Sequence, residues 1–186
     1  MTSVKRLQLT LAIMKPHVVS SPFSLHDIRR TILDNGFYVV RSKRQTIKLE
    51  QAEQFYREHK TKFFYNRLIT FMISILLICD HTNSGPSEAY ILAREDAISV
   101  WRRLMGPTKV FQCQLSNPDS IRAKHGLTDT RNATHGSDSD ESVRKEVSIM
   151  VPQFCFDYWK QTEEPMFRNG RVQFNDKQFL HSAHES

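Results

Sequence analysis

Cysteine is scarce and unpatterned in this sequence: Cys79, Cys113 and Cys155 are odd in number, widely spaced and form no C-x-x-C. That argues against a disulfide framework and for reduced thiols in an intracellular compartment, cytoplasmic or mitochondrial. No set of histidines has zinc-ligand spacing, and His181 and His184 read as a solvated pair near the end of the chain. The N-terminus lacks an uninterrupted apolar stretch, so no secretory signal is expected, although Lys5 and Arg6 make it faintly basic. The longest apolar run, Phe71 to Cys79, is far too short to cross a bilayer, and no membrane partner is expected. Lysines and arginines are scattered, with no dense run and no aromatic-interleaved motif. The net charge of +6 and pI near 9.3 therefore favour anionic partners without pointing to nucleic acid. No internal repeat is visible.

What is present is ordinary for a soluble globular protein: 186 residues, 39% apolar and 25% charged. The length suits one well-buried domain, read here over residues 1–166, with a polar, aperiodic tail over residues 167–186. The pattern along the chain is mixed α/β. Leu7 to Met14 alternates and reads as a strand, and Ser24 with Asp27 three residues on opens a helix through Leu33. Phe37 to Arg44 reads as a second strand, Leu49 to Lys60 as a strong helix, Asn66 to Met72 as another, and Glu88 to Ala93 as a third strand. Asp96 to Met105 is a helix stopped by Gly106-Pro107, Ser116 to Gly126 reads as irregular, and a last strand is expected near Asn132–Thr134. This order fits a ferredoxin-like, split βαβ antiparallel sheet with helices packed on one face.

The most informative stretch is Arg131 to Glu146, which contains Asn132-Ala133-Thr134-His135-Gly136-Ser137-Asp138-Ser139 and then a helix. Ser137 or Ser139 serves as its N-cap, and Asp140 and Glu141 in the first turn complement the helix dipole. A histidine beside a helix N-terminus faces a natural phosphate site, and imidazole is a competent nucleophile when a neighbour fixes its tautomer. Glu146 lies a corner and about two helical turns away, so its carboxylate can reach His135 directly or through a serine of the corner. Taken alone, His135 also reads as a plain turn histidine, and Glu146 as an exposed helix residue next to Lys145.

The whole string N-x-x-H-G-S-D-S resembles the active-site signature of the nucleoside diphosphate kinases. The resemblance recurs over roughly Leu7 to Met150: in Ile13-Met14-Lys15-Pro16, in Phe55-Tyr56-Arg57-Glu58-His59 with Phe63-Phe64-Tyr65, and in Ser84-Gly85-Pro86. It continues in Trp101-Arg102-Arg103-Leu104-Met105-Gly106-Pro107-Thr108 and Asp119-Ser120-Ile121-Arg122. Several of these strings look most like the divergent sixth type of the family. The resemblance implies a transferase that moves the terminal phosphate of ATP to nucleoside diphosphates through a phosphohistidine on His135, with Mg²⁺ held mainly by the nucleotide phosphates and not by a protein metal site. It implies that Glu146 orients His135, that Lys15, Arg102 and Arg122 contact phosphates, and that Thr108 adds a hydroxyl. Phe64 would stack on the base, Asn132 and Lys15 would hold the ribose, and Tyr56 would support the site near His135. No G-x-x-x-x-G-K-[ST] loop is present, and the family binds nucleotide without one. Lys15 and Arg122 are expected at strand or loop ends, where truncation removes charge and little buried surface.

Some positions depart from the family pattern. His17 stands where aspartate is usual, and Asp129 takes a position near the base that is usually apolar. The segment between Thr108 and Arg122 is longer than usual, and in the family it carries subunit contacts. Ile73 to Asn83 is an insertion, read as a helix extension or an apolar loop. These departures sustain an alternative: a weakly active or inactive family member acting mainly through a protein partner. A homo-oligomer or a protein partner is accordingly expected beside the nucleoside di- and triphosphates.

Overall fold

The computed structural model describes residues 6–73 and 85–183. All of the 73–83 insertion after Ile73 lies outside the described residues, as do His184 and Cys79. The chain opens with β1 (Gln8–Met14), a single helical turn α1 (Pro16–Val19), α2 (Pro22–Asp34) and β2 (Tyr38–Gln45). It continues through α3 (Leu49–Phe55), a 3-10 turn at Arg57–His59, α4 (Tyr65–Met72), β3 (Ser87–Arg94) and α5 (Ala97–Met105). Then come α6 (Val110–Ser116), α7 (Ile121–His125), β4 (Thr134–Gly136) and α8 (Asp140–Met150). The last part holds α9 (Phe156–Tyr158), a π-helical turn at Trp159–Glu163, α10 (Glu164–Arg168), β5 (Val172–Asn175) and β6 (Leu180–Ala183).

The main sheet is four-stranded with order β2-β3-β1-β4, and its ladders are antiparallel. This is the expected ferredoxin-like α/β architecture. Helices cover both faces, however, and not the one face the sequence suggests. Leu9, Leu11 and Ile13 of β1 and Ala89 and Ile91 of β3 pack with α3, α4 and α8 in one core. Ala12 and Met14 of β1 and Tyr90 and Leu92 of β3 pack with α2 and α5 in the other. The strands show why: Leu9 to Met14 is buried at every position, the pattern of a strand sandwiched on both faces and not of a half-exposed one.

Local signals move some boundaries. Ser21, not Ser24, caps α2, its hydroxyl accepting the Ser24 N–H at 3.4 Å, with Pro22 at the first helical position. The expected helix over Leu49–Lys60 is shorter, giving way to the 3-10 turn after Phe55. The segment read as irregular carries α7, capped by Ser120, whose hydroxyl accepts the Ala123 N–H at 3.4 Å.

Past Phe167, where a polar tail is expected, the chain folds. Phe167 and Phe179 are buried, and β5 and β6 form a hairpin. The Phe179 ring centroid lies 5.1 Å from that of Tyr90, and the Arg29 guanidinium lies 4.7 Å from the centroid of the Phe179 ring. His181 is not a solvated histidine: its Nδ1 accepts the N–H of Val39, on the edge strand β2, at 3.0 Å. Burial lowers its pKa from the ordinary histidine value, in keeping with an unprotonated acceptor. Short alternation (Val172 and Phe174 inward, Gln173 and Asn175 exposed) is too brief to stand out in a polar sequence.

Candidate active site

His135 is placed by its strand. In the β1–β4 register it lies opposite Ile13, with Thr134 opposite Met14, so the residue that follows Met14, Lys15, emerges beside it. Directly opposed residues share a sheet face, which puts the imidazole on the Ile13 side under α3 and α8. Just upstream, Thr134 N–H donates to Asn132 C=O at 2.8 Å, closing a γ-turn about Ala133, whose φ is +68°. Such a turn is strained for a residue with a Cβ. Its exit fixes where Asn132 and His135 point, and Lys15 N–H donates to the Ala133 carbonyl at 3.0 Å. Behind the histidine, Trp101 Nε1–H donates to its carbonyl at 3.3 Å. A Cβ on Gly136 would sit 2.4 Å from that indole, so only glycine lets the corner approach α5 this closely.

The corner serines divide the work that sequence left open. Ser139 is the N-cap of α8, accepting the Ser142 N–H at 3.1 Å. Ser137, fully buried, donates its hydroxyl to Glu146 Oε2 at 2.5 Å. The same oxygen lies 3.0 Å from His135 Nε2. A carboxylate oxygen accepts, so Nε2 carries the hydrogen and Nδ1 keeps its lone pair. Glu146 is thus turned inward, while Lys145 reaches across to Glu58 at 2.6 Å. The Phe55 ring is 4.9 Å from the imidazole, edge to face, and the Tyr56 ring 6.5 Å away.

His135 and Glu146 open onto a cavity of about 780 Å³ whose lining also includes Lys15, Tyr56, Phe64, Arg102, Thr108, Arg122 and Asn132. The structure therefore brings every catalytic and nucleotide-binding residue expected from sequence to one place, a volume suited to a small organic ligand. Lys15 donates from Nζ to the Thr130 carbonyl at 2.9 Å. Burial, with Arg122 close by, lowers its pKa to about 7. Arg122 donates to Gly106 C=O at 2.8 Å and to Thr134 C=O at 3.1 Å, bridging the Gly106–Thr108 loop to β4. Burial lowers its pKa to about 10. Both side chains are buried, so the expectation that alanine there removes little buried surface is corrected: each has a stem packed in the protein, and Arg122 also ties two segments together. Arg102 is exposed on α5. Asn132 Nδ2 donates to the Thr108 carbonyl at 3.2 Å.

Some polar atoms of this lining are buried without a hydrogen-bond partner among the described residues: Tyr56 Oη, Arg122 Nε and Asn132 Oδ1. Orphaned groups of this kind are costly in a folded protein unless a ligand or water completes them. Two are donors and one is an acceptor, chemistry that suits phosphate oxygens and a hydroxyl-bearing ligand. Burial, with the Glu146 charge second, raises the Tyr56 phenol, keeping it a donor. His17 adds no cation beside Lys15: burial lowers its pKa to about 4, and its neutral Nε2–H donates to the His125 carbonyl at 3.3 Å.

For a metal, no group of three or more histidine, cysteine, aspartate or glutamate side chains converges among the described residues. The carboxylates lining the cavity beside Glu146 are Glu58, Asp129 and Asp138. Asp138 is held charged chiefly by the Ser142 hydroxyl at 2.6 Å, which lowers its pKa. Such a donor set fits a hard cation that brings most of its oxygen ligands with it, as a phosphate-bound magnesium does.

Sequence reading missed other participants. Arg67 donates from Nε to Thr130 Oγ1 at 3.0 Å, bracing the segment that holds Lys15. Phe55 has no role of its own in the sequence reading, and only the fold brings its ring against His135. His59, stacked on Tyr56 with centroids 6.2 Å apart, also lines the cavity.

A strand-end lysine, an inward glutamate holding one imidazole nitrogen, and cationic walls around an open cavity describe a phosphate-handling site on a ferredoxin-like sheet. The family model described as nucleoside diphosphate kinase matches residues 8–155, and the chain belongs to that family. Among curated proteins it is similar to nucleoside diphosphate kinase 6 of Danio rerio, 46% identical over 183 residues that cover 98% of each chain. Among solved structures it is similar to the nucleoside diphosphate kinase of Aquifex aeolicus, with a TM-score of 0.69 and 32% identity over 78% of this chain and 95% of that one. It is also similar to that of Halobacterium salinarum in complex with CDP, with a TM-score of 0.66 and 28% identity over 81% of this chain and 89% of that one.

Proposed function

We propose that the chain transfers the terminal phosphate of ATP to nucleoside diphosphates through a phosphohistidine on His135. The observation that carries this reading is the Glu146–His135 pair, with Nε2 engaged and Nδ1 left as the nucleophilic nitrogen, at the wall of a cation-lined cavity. In the first half-reaction the Nδ1 lone pair attacks the terminal phosphorus. The P–N bond forms as the bond to the bridging oxygen breaks, and the nucleoside diphosphate leaves with that oxygen. In the second half, a terminal oxygen of the acceptor diphosphate attacks the phosphorus and the P–N bond breaks, restoring the imidazole. Glu146 stabilises the positive charge that builds on the ring, and Lys15, Arg102 and Arg122 meet the phosphate charge. Thr108 adds a hydroxyl to the same wall. Phe64 gives the base a stacking face, and Asn132 and Lys15 reach the sugar. Magnesium arriving with the nucleotide would be held mainly by the phosphates themselves and would supply neutralisation of their charge.

The test is incubation of the protein with terminally labelled ATP and magnesium. An acid-labile, base-stable label on His135, discharged by added nucleoside diphosphate, is the expected result. Correctly folded protein that takes up no label overturns the reading.

Glu146→Gln keeps size and hydrogen bonding and deletes the charge. It is expected to slow labelling of His135 by at least tenfold, roughly 1.4 kcal/mol of barrier, in rapid-mixing kinetics. Unchanged kinetics would make Glu146 a structural partner of Ser137 only.

One observation favours a second reading, in which the main role is binding a protein partner: Phe111 and Leu115 of α6, one helical turn apart, are 74% and 73% exposed. Native mass and a partner pull-down separate the two, and a stable hexamer with full turnover would dismiss the second.

A further inference from the structure

We propose that Asp129 makes the base end of this cavity selective, favouring adenine, guanine and cytosine nucleotides over those of uracil and thymine. The inference rests on the nucleotide reading above and concerns only which nucleotides the cavity takes. The cavity has a direction. Lys15 and Arg122, beside His135, form its cationic part, and a ladder of rings leads away from His135 through Tyr56 and His59 to Phe64, with successive centroids 6.5, 6.2 and 5.7 Å apart. A nucleotide whose phosphate meets the cations must lay its base toward the Phe64 wall.

Asp129 belongs to that wall. Its neighbour Thr130 is bonded through Oγ1 to Arg67 at 3.0 Å, and Arg67 stands three residues beyond Phe64, on the same side of α4. Thr130 also anchors Lys15 through its carbonyl at 2.9 Å, so the residue that follows Asp129 is held at two atoms. The Asp129 side chain lines the cavity, and its Oδ1 accepts the Val110 N–H at 3.0 Å. That bond orients the carboxylate and leaves further acceptor positions on its oxygens, since an ionised carboxylate accepts at about four sites and donates at none. An acceptor-only group distinguishes bases by their donors. Adenine, guanine and cytosine each carry an exocyclic amino group. Uracil and thymine present one ring N–H between two carbonyls, whose oxygens a carboxylate repels. Asp129 is exposed, so the preference is screened, and roughly tenfold is expected where a buried pairing would give far more.

Asp129 also has a plain structural role, satisfying the first N–H of α6. The test separates the two. Calorimetric titration of the full chain with ADP, GDP, CDP, UDP and dTDP, without a phosphate donor, reads affinity apart from turnover. The expected result is UDP and dTDP roughly tenfold weaker than the other three, with Asp129→Val flattening the series. Asp129→Asn, which keeps an oxygen for Val110 and adds an amide donor, should shift the balance toward UDP and dTDP. A purely structural aspartate would lower all affinities together and leave the ratios unchanged, which overturns the proposal, as does a flat series in the unaltered protein. Binding of none of the five would overturn the nucleotide reading itself and this proposal with it, whereas equal, tight binding overturns this proposal alone.

Discussion

Alanine at His135 is expected to leave the protein unable to take any label from ATP, whereas alanine at His59 leaves labelling intact. Both imidazoles line the cavity, so position alone does not choose between them. The difference lies in what holds each ring. His135 Nε2 is bonded to a carboxylate that also accepts a serine hydroxyl, an arrangement that fixes the tautomer and stabilises a charged ring. His59 is exposed and is held by ring contacts with Tyr56 and Phe64. His135→Ala should stay folded, because the strand pairing of β4 with β1 and the Trp101 bond use its backbone. The lost ring contacts and hydrogen bond cost about 1–2 kcal/mol. Acid-labile label, mapped by peptide analysis, with circular dichroism on the same samples, checks both variants. Residual label in His135→Ala, or its loss in His59→Ala, would move the nucleophile to the other ring.

Methionine at Lys15 is expected to lower phosphotransfer by roughly 10²–10³-fold, the usual scale for one preorganised charge contact, while the ligand-free protein is no less stable near pH 6–7. The folded Lys15 pKa, about 7, lies below the ordinary value of 10.5 because of burial and then Arg122. Between those values the unfolded chain holds a proton that the folded chain has lost. Stability therefore rises with pH across that window, and the cost of the buried ammonium is fully present below about pH 7. Methionine keeps most of the stem and removes that cost, at the loss of the bond to the Thr130 carbonyl, about 1 kcal/mol. The variant's relative advantage in Tm should shrink as pH approaches 10.5. Thermal melts at several pH values beside the labelling assay decide this: a variant destabilised equally at every pH would mean that Lys15 is an ordinary structural lysine. Methionine is a cleaner probe than alanine, which would leave a hole where the stem packs.

Much of the site could be read from the sequence because its decisive part is local. His135, Ser137, Ser139 and Glu146 lie within a corner and about two helical turns, and helical phase alone brings the carboxylate back toward the histidine. The edges of the fold were harder. Ser24 and Asp27 mimic a helix start that Ser21 and Pro22 in fact make, because the two signals lie within one turn of each other. Helices on both faces of the sheet follow from the uninterrupted burial of Leu9 to Met14, which alternating side-chain types conceal. The β5–β6 hairpin gave no signal: its strands are four residues each, and Phe179 is one buried ring in a polar stretch.

By itself, the sequence determined the order of the four main strands and of the longer helices between them, the small-residue corner at Gly136, the helix start that follows it and the reach of Glu146, since these depend on residues within a few positions of one another. Only the tertiary structure decided that Lys15 is buried and easily neutralised, that Arg122 ties two segments together, and that Tyr56, Arg122 and Asn132, each with a buried polar atom unpaired among the described residues, line one cavity. The physical reason is separation along the chain. The bond that holds the Lys15 ammonium joins residues 115 positions apart, and burial and field at such a group come from elements that no local pattern brings together.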